Sequence, residues 1–375
     1  MIDREDNVQT SLLAQLRGFL QQDPENWNLR ADFFDAALAA GEIEEARAQV
    51  DRARARLPGD ASWAHRQAVL MLATRDYAAA QLAFEELLAG GVQESAILYN
   101  LGYALFMQGR FQEAAERAET LLSRSDEGAR PAWALWLRCK HRLGGFEEAL
   151  AAFRARAAQA PMPADAWGAA CLMAFDMGDL QEAQAWSARA LQEQPVQLEA
   201  LVTRGSLALA VQDVPGATAL FEQALKVNPS DGRTWSGMAM TRMLATDLPG
   251  ADEAFSRAVV TMPEHIGTWI AWGWCRFLQK RLDQAQQAIE EALRLDRNFG
   301  ESHGAMSVLL ATRGQKAEAE REVEIALRLD PTCMSARYAQ TILSGDAQDP
   351  AKVIKLGQRL MSRQRSALLE KMGKA

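Results

Sequence analysis

An alanine returns at Ala46, Ala80, Ala114, Ala149, Ala183, Ala217, Ala251, Ala285 and Ala319, each following a short turn such as GEIEEA, GRFQEA or GDLQEA. The step is 34 residues (46 to 80, 80 to 114 and onward), with one step of 35 between Ala114 and Ala149. Prolines keep the same step at Pro24 and Pro58, then at Pro161, Pro195, Pro229 and Pro263, with Pro331 two periods further on. A fixed period of this length makes the chain a stack of one small unit, because a globular core has no reason to repeat. Ala, Leu, Glu, Gln and Arg dominate while β-branched residues are sparse, so each unit reads as helical. Pro215 and Pro249, in DVPGA and DLPGA, mark helix starts, where the missing proline N–H is not needed.

Within each period the eighth position of the first helix is small: Ala68, Gly102, Cys171, Gly205, Ala239, Gly273 and Ser307. Together with the recurring alanine of the second helix, this lets two backbones approach closely. The step, the pattern W-x2-L-G-x2-Y, A-x3-F and the closing Pro resemble the tetratricopeptide repeat family from about residue 27 to residue 333. The plainest match is LYNLGYALFMQGRFQEAAERAETLL; Trp133, Trp167, Trp235 and Trp269 fill the first aromatic slot, and Phe84, Phe153, Phe221 and Phe255 the F slot. Phe34 and Leu137 depart from it, standing where the family prefers a small residue. The resemblance implies an all-α fold, a right-handed superhelical solenoid of stacked antiparallel helix pairs whose first helices line a concave surface.

Three parts follow: an N-terminal capping helix in 1–26, nine repeats of 34 or 35 residues in 27–333, and a partial tenth repeat with a basic capping helix in 334–375. A stack needs caps because its terminal units have only one neighbour. Leu12, Leu16, Phe19 and Leu20 form the inward stripe expected of the first cap. Cys333–Leu343 reads as a tenth first helix and GDAQDP as a turn. Pro350 then opens a closing helix with Val353, Leu356 and Leu360 inward. The extra residue in SDEGARP predicts a longer loop near Ser125–Pro131 and a local change of twist.

The net charge of −8 argues against a nucleic-acid partner, since neutralising phosphates needs a basic face. Residues 351–375 differ from the rest: seven basic side chains against Glu370 give +6. The bland reading of that segment is a cap with a charged outer face; an anchor to an anionic surface is the alternative. Cys139, Cys171, Cys275 and Cys333 are widely spaced with no CxxC pair, so they read as reduced and structural. With an acidic N-terminus and no long apolar run, the protein is expected to be cytoplasmic, with a membrane role disfavoured. The motifs of phosphate loops, zinc proteases and nucleophile elbows are missing, so neither an enzyme nor a metal or cofactor site is expected.

Function is therefore expected from the groove. Positions 2, 5, 9, 12 and 13 of each first helix point away from the buried side. They collect Tyr99, Tyr103, Phe106 and Met107, then Arg138, His141 and Arg142, then Leu172, Phe175 and Asp176. Met240, Met243 and Leu244 follow, and after them Ile270, Trp274, Phe277 and Leu278. Tyr99, Tyr103, Phe106, Arg138, Arg142, Phe175, Met240, Trp274 and Phe277 are the candidate partner-binding residues. Packing alone is not expected to call for them, because other slots already fill the core. Aromatics dominate binding hot spots and Met adapts to varied surfaces, which favours a peptide or helix guest. The family's carboxylate clamp is missing: Asn100 fills its middle slot, but the flanking slots hold His65, Val69, Pro131 and Leu135. A protein-interaction scaffold or chaperone-like adaptor leads; self-assembly into a homo-oligomer and a membrane-surface adaptor are the alternatives.

Overall fold

The computed structural model describes the backbone of residues 2–124 and 130–345, with side chains from residue 12 onward. Every regular element in these residues is an α-helix. The chain divides into two compact units, Met1–Ala166 and Trp167–Ala375. The first contains α1 (Ile2–Gln22), α2 (Trp27–Ala39), α3 (Ile43–Arg56), α4 (Ala61–Ala73), α5 (Tyr77–Ala89), α6 (Ser95–Met107), α7 (Phe111–Leu122), α8 (Ala132–Leu143) and α9 (Phe146–Ala157). The division falls near the start of α10 (Ala164–Met177). The second unit continues with α11 (Leu180–Glu193), α12 (Leu198–Ala210), α13 (Val214–Val227), α14 (Gly232–Leu244), α15 (Leu248–Thr261) and α16 (Ile266–Leu278). It closes with α17 (Leu282–Leu295), α18 (Gly300–Thr312), α19 (Lys316–Leu329) and α20 (Met334–Leu343). Each unit is a stack of helix pairs, as the resemblance implies.

The turns between paired helices are three residues long or close to it, and one residue in each adopts a left-handed conformation. Gly41, Gly109, Gly144, Gly178 and Gly314 do so, and Arg75, Gln212, Thr246 and Lys280 take the same place at φ near 60°. A left-handed residue after the first helix satisfies its last carbonyls and turns the chain back, so the second helix runs antiparallel against it. Aspartates then open the next helix: Asp76, Asp179, Asp213 and Asp247 accept from backbone N–H groups three residues on. Pro215 and Pro249 stand in first turns, as read from the sequence.

All nine register alanines are fully buried, as are the four F-slot phenylalanines. The seams are tight. A Cβ on Gly205 would lie 2.6 Å from the Phe221 ring, and one on Gly237 2.3 Å from it, so this ring is held between two helices that tolerate no side chain there. Phe34 and Leu137 are buried too, so the two departures from the family pattern fill space in their own seams.

A second device fastens four of the loops between pairs. Trp235 and Trp269 donate their indole N–H groups to the carbonyls of Pro229 and Pro263, each at 2.7 Å. Arg337 reaches Pro331 O at 2.6 Å and Arg30 reaches Pro24 O at 2.8 Å. Each side chain bonds a carbonyl six residues before it, whose own backbone partner the turn has removed.

One cap expectation needs correction. Leu13, Leu16 and Leu20 of α1 pack on the core with Phe33 and Phe34, while Leu12 and Phe19 are exposed. The spacing 13, 16, 20 follows a narrower helical stripe than the one read from the sequence. The expected closing helix from Pro350, with Val353, Leu356 and Leu360, and most of the Ser125–Pro131 loop lie outside the described residues.

Candidate functional site

In the first unit, α6 and α8 carry the candidate residues that come together. Tyr103 and Met107 are exposed, at 36% and 41%, and Tyr99 and Phe106 are half-buried. Burial pushes the hydroxyl of Tyr99 above the ordinary tyrosine value, and the charge of Arg138 pulls it back. Tyr103 is raised for the same reason, then by Tyr77, while Arg138 and Arg75 oppose the rise. The charge of Arg138 thus acts on both tyrosines. Phe106 meets Phe111 edge-on at 5.3 Å between centroids, and the guanidinium of Arg142 lies over the Phe111 ring at 4.9 Å. Tyr77, at the start of α5, and Arg75, in the preceding turn, lie close enough to act on the Tyr103 hydroxyl. Sequence reasoning missed both because they lie outside the first helices; Arg75 is recognisable only as a non-glycine in the left-handed turn slot.

In the second unit the face made by the first helices is less open than expected. Leu172 and Ile270, read as groove residues, are only 9% and 6% exposed. Leu172 packs with Leu201 and Val202 of α12, and Ile270 with Ala305 and Met306 of α18. The next first helix presses on these positions, which the angular argument for a single helix does not include. Trp274 and Phe277 are half-buried against the clusters of α17 and α18 and of α18 to α20, with their rings 5.5 Å apart. Packing does use Trp274, contrary to the expectation that it does not. Phe175 is half-buried; Met240, Leu244 and Leu278 are exposed.

An ion pair that the sequence did not reveal closes part of this face. Both guanidinium NH groups of Arg233, second in α14, donate to the carboxylate of Asp176 near the end of α10, at 3.0 and 2.6 Å. His265 lies near both charges; burial, and then Arg233, lower its pKa. Its Nδ1 accepts from the N–H of Thr268 and so caps α16.

The cysteines are all free and buried. Burial pushes the thiols of Cys139, Cys171 and Cys333 up to about 12 and raises that of Cys275. Among the described residues, no group of three or more His, Cys, Asp or Glu is placed to hold a metal ion. No described helix is long and apolar enough to cross a membrane.

With the geometry known, the chain can be set beside other proteins. Models of the tetratricopeptide repeat match residues 11–70 and 65–130. No curated protein gives a significant sequence match. Among solved structures, the chain is similar to a tetratricopeptide repeat protein from Parabacteroides merdae, at 16% identity and TM-score 0.45, covering 67% of this chain and 98% of that one. It is also similar to YrrB, described as a TPR protein with an unusual peptide-binding site, at 18% identity and TM-score 0.37, covering 47% and 91%. MamA matches at 15% identity and TM-score 0.36, covering 42% and 92%. The stretch matched by the tetratricopeptide repeat models, residues 11–130, lies within the first unit, and helix pairs continue beyond it through α20.

Proposed function

We propose that this protein is an interaction scaffold that holds a peptide or amphipathic helix of a partner protein on the face formed by its first helices. The observation that carries the reading is the grouping on α6 and α8: Tyr103 and Met107 exposed, Tyr99 and Phe106 half-buried, with the Arg138 charge acting on both tyrosines and Arg142 over the Phe111 ring that Phe106 meets. Rigid aromatic surface beside fixed cations is what an anchor site for a peptide needs. The cations give the guest a direction, favouring an acidic side chain or terminus next to an apolar one. Met240, Leu244 and Leu278 supply a separate apolar surface in the second unit. A cytoplasmic, chaperone-like adaptor role belongs to the same proposal; the four unpaired, buried thiols suit a reducing compartment.

The test is selection of binders from a displayed peptide library on the intact protein, followed by titration against variants. Tyr103→Ala should weaken a selected peptide by about 30-fold, the equivalent of about 2 kcal/mol at an anchor. The far-UV circular dichroism should stay unchanged. Equal affinity for wild type and for a Tyr103→Ala/Met107→Ala variant would move the site elsewhere.

A further inference from the structure

One register of the second unit is filled differently from pair to pair. Arg242 of α14 and Arg276 of α16 each reach the second helix of their own pair, donating to the carbonyls of Gly250 at 2.9 Å and Gln284 at 3.3 Å. Arg276 also donates to Asp252 of the preceding second helix at 3.2 Å, and the Trp272 indole bonds the same carboxylate. One period before Arg242 (242 − 34) the residue is Ala208. Two periods before Asp252 and Trp272 (252 − 68 and 272 − 68) stand Gln184 and Arg204. The short side chain of Ala208 leaves a cavity of about 200 Å³ between α11, α12 and α13, with Arg204, Gln184 and Asp213 in its lining and Leu207, Val211 and Leu220 as its apolar wall. Arg204 has no hydrogen bond or ion pair among the described residues, and Gln184 Oε1 is buried without a partner. Such groups are ordinarily matched, because a buried polar atom left alone costs about 1–3 kcal/mol.

We infer that this cavity is a binding site for a small aliphatic α-amino acid. The lining holds one cation and one carboxylate, Arg204 and Asp213, which is the complement of a zwitterion. A guanidinium with all its donors free takes a carboxylate in paired hydrogen bonds. Asp213 accepts from the N–H of Gly216 at 3.0 Å through Oδ1, which leaves acceptor capacity for an ammonium group. Gln184 carries both a donor and an acceptor and serves either end. The aliphatic side chain of the ligand lies against Leu207, Val211 and Leu220, in the space that the stems of Arg242 and Arg276 occupy in their own seams. Size limits the occupant as well: drug-sized ligands take about 300–1,000 Å³, so this cavity suits a smaller molecule. The site lies wholly in the second unit and is separate from the anchor on α6 and α8.

The experiment is isothermal titration calorimetry of the full chain with L-leucine and L-valine, for which saturable binding is expected. Two variants borrow the residues of the next repeat at the same register, so both suit the fold. Arg204→Met copies Met238 and should weaken L-leucine at least about tenfold. Ala208→Arg copies Arg242, refills the seam and should abolish binding with no loss of melting temperature. 4-Methylpentanoate and 3-methylbutylamine each keep one charge of L-leucine, and both should bind at least about tenfold more weakly. No saturable heat from either amino acid on the wild type would overturn the inference, as would unchanged L-leucine affinity in Arg204→Met or in folded Ala208→Arg. 4-Methylpentanoate binding as tightly as L-leucine would overturn the assignment to a zwitterion.

Discussion

Arg233 and Asp176 are 57 residues apart and joined by two hydrogen bonds, so the second residue of α14 reaches past α12 to the end of α10. The pair ties together first helices that are not consecutive in the stack. Partly exposed ion pairs contribute little, on the order of 1 kcal/mol even with paired geometry. A double-mutant cycle with Asp176→Ala and Arg233→Ala should return a coupling of about 1 kcal/mol in urea unfolding, falling at high salt. The same variant reports on His265, whose pKa Arg233 holds down. Arg233→Ala should move the His265 titration upward in NMR, toward the ordinary histidine value, and an unmoved midpoint would mean that Arg233 does not act on the ring.

Trp274 separates binding from packing. Because it lies against two core clusters, Trp274→Ala should cost about 2–3 kcal/mol of stability, near the lower end for a large buried aromatic. Chemical denaturation would show this as a lower midpoint. Tyr103→Ala should shift the midpoint by less than about 1 kcal/mol, since its ring is more exposed.

Asp252 gives the second unit an acid-sensitive joint. Burial works against its charge, but hydrogen bonds from the Trp272 indole at 2.5 Å, Arg281 at 2.7 Å and Arg276 at 3.2 Å outweigh it and depress its pKa. The guanidinium of Arg276 also stacks over Trp272 at 3.6 Å. A depressed folded pKa means that this stabilisation is fully present above the unfolded value of about 3.9 and is lost as pH falls through the folded value. Asp252→Asn should therefore destabilise at pH 7 and flatten the acid limb of the stability profile, measured by thermal unfolding from pH 2 to 7.

Thr246 sits at φ 63° in a turn where other repeats place glycine. A β-branched residue is strained there by about 1 kcal/mol or more. Thr246→Gly should remove that strain and raise the melting temperature by roughly 2 °C, after the entropy that glycine loses on folding.

The thiols predict a chemical result. With all four buried and their pKa values raised, none should react with a thiol reagent at pH 8 in the folded protein. All four should react in guanidinium. Rapid reaction of one thiol in the native state would reveal an opening at its seam.

The period, the helix pairs, the buried alanines and the turn prolines were all legible from the sequence because each is a local rule repeated along the chain, nine times for the alanines. A small residue at Ala183 or Gly205 reports the same seam wherever it occurs, and the 34-residue register aligns the reports. The face that Tyr99, Tyr103, Phe106, Arg138 and Arg142 share was legible for the same reason, since one helical wheel places each of them. What tertiary structure alone decided is how much of that face stays open. Leu172 and Ile270 occupy groove positions on their own helices, yet the following first helix covers them. Arg233 and Asp176 meet only because three successive first helices converge closely enough for a guanidinium to span them. Those distances depend on the angle between neighbouring pairs, which is set by the side chains packed at every seam together, and no single period of the sequence contains it.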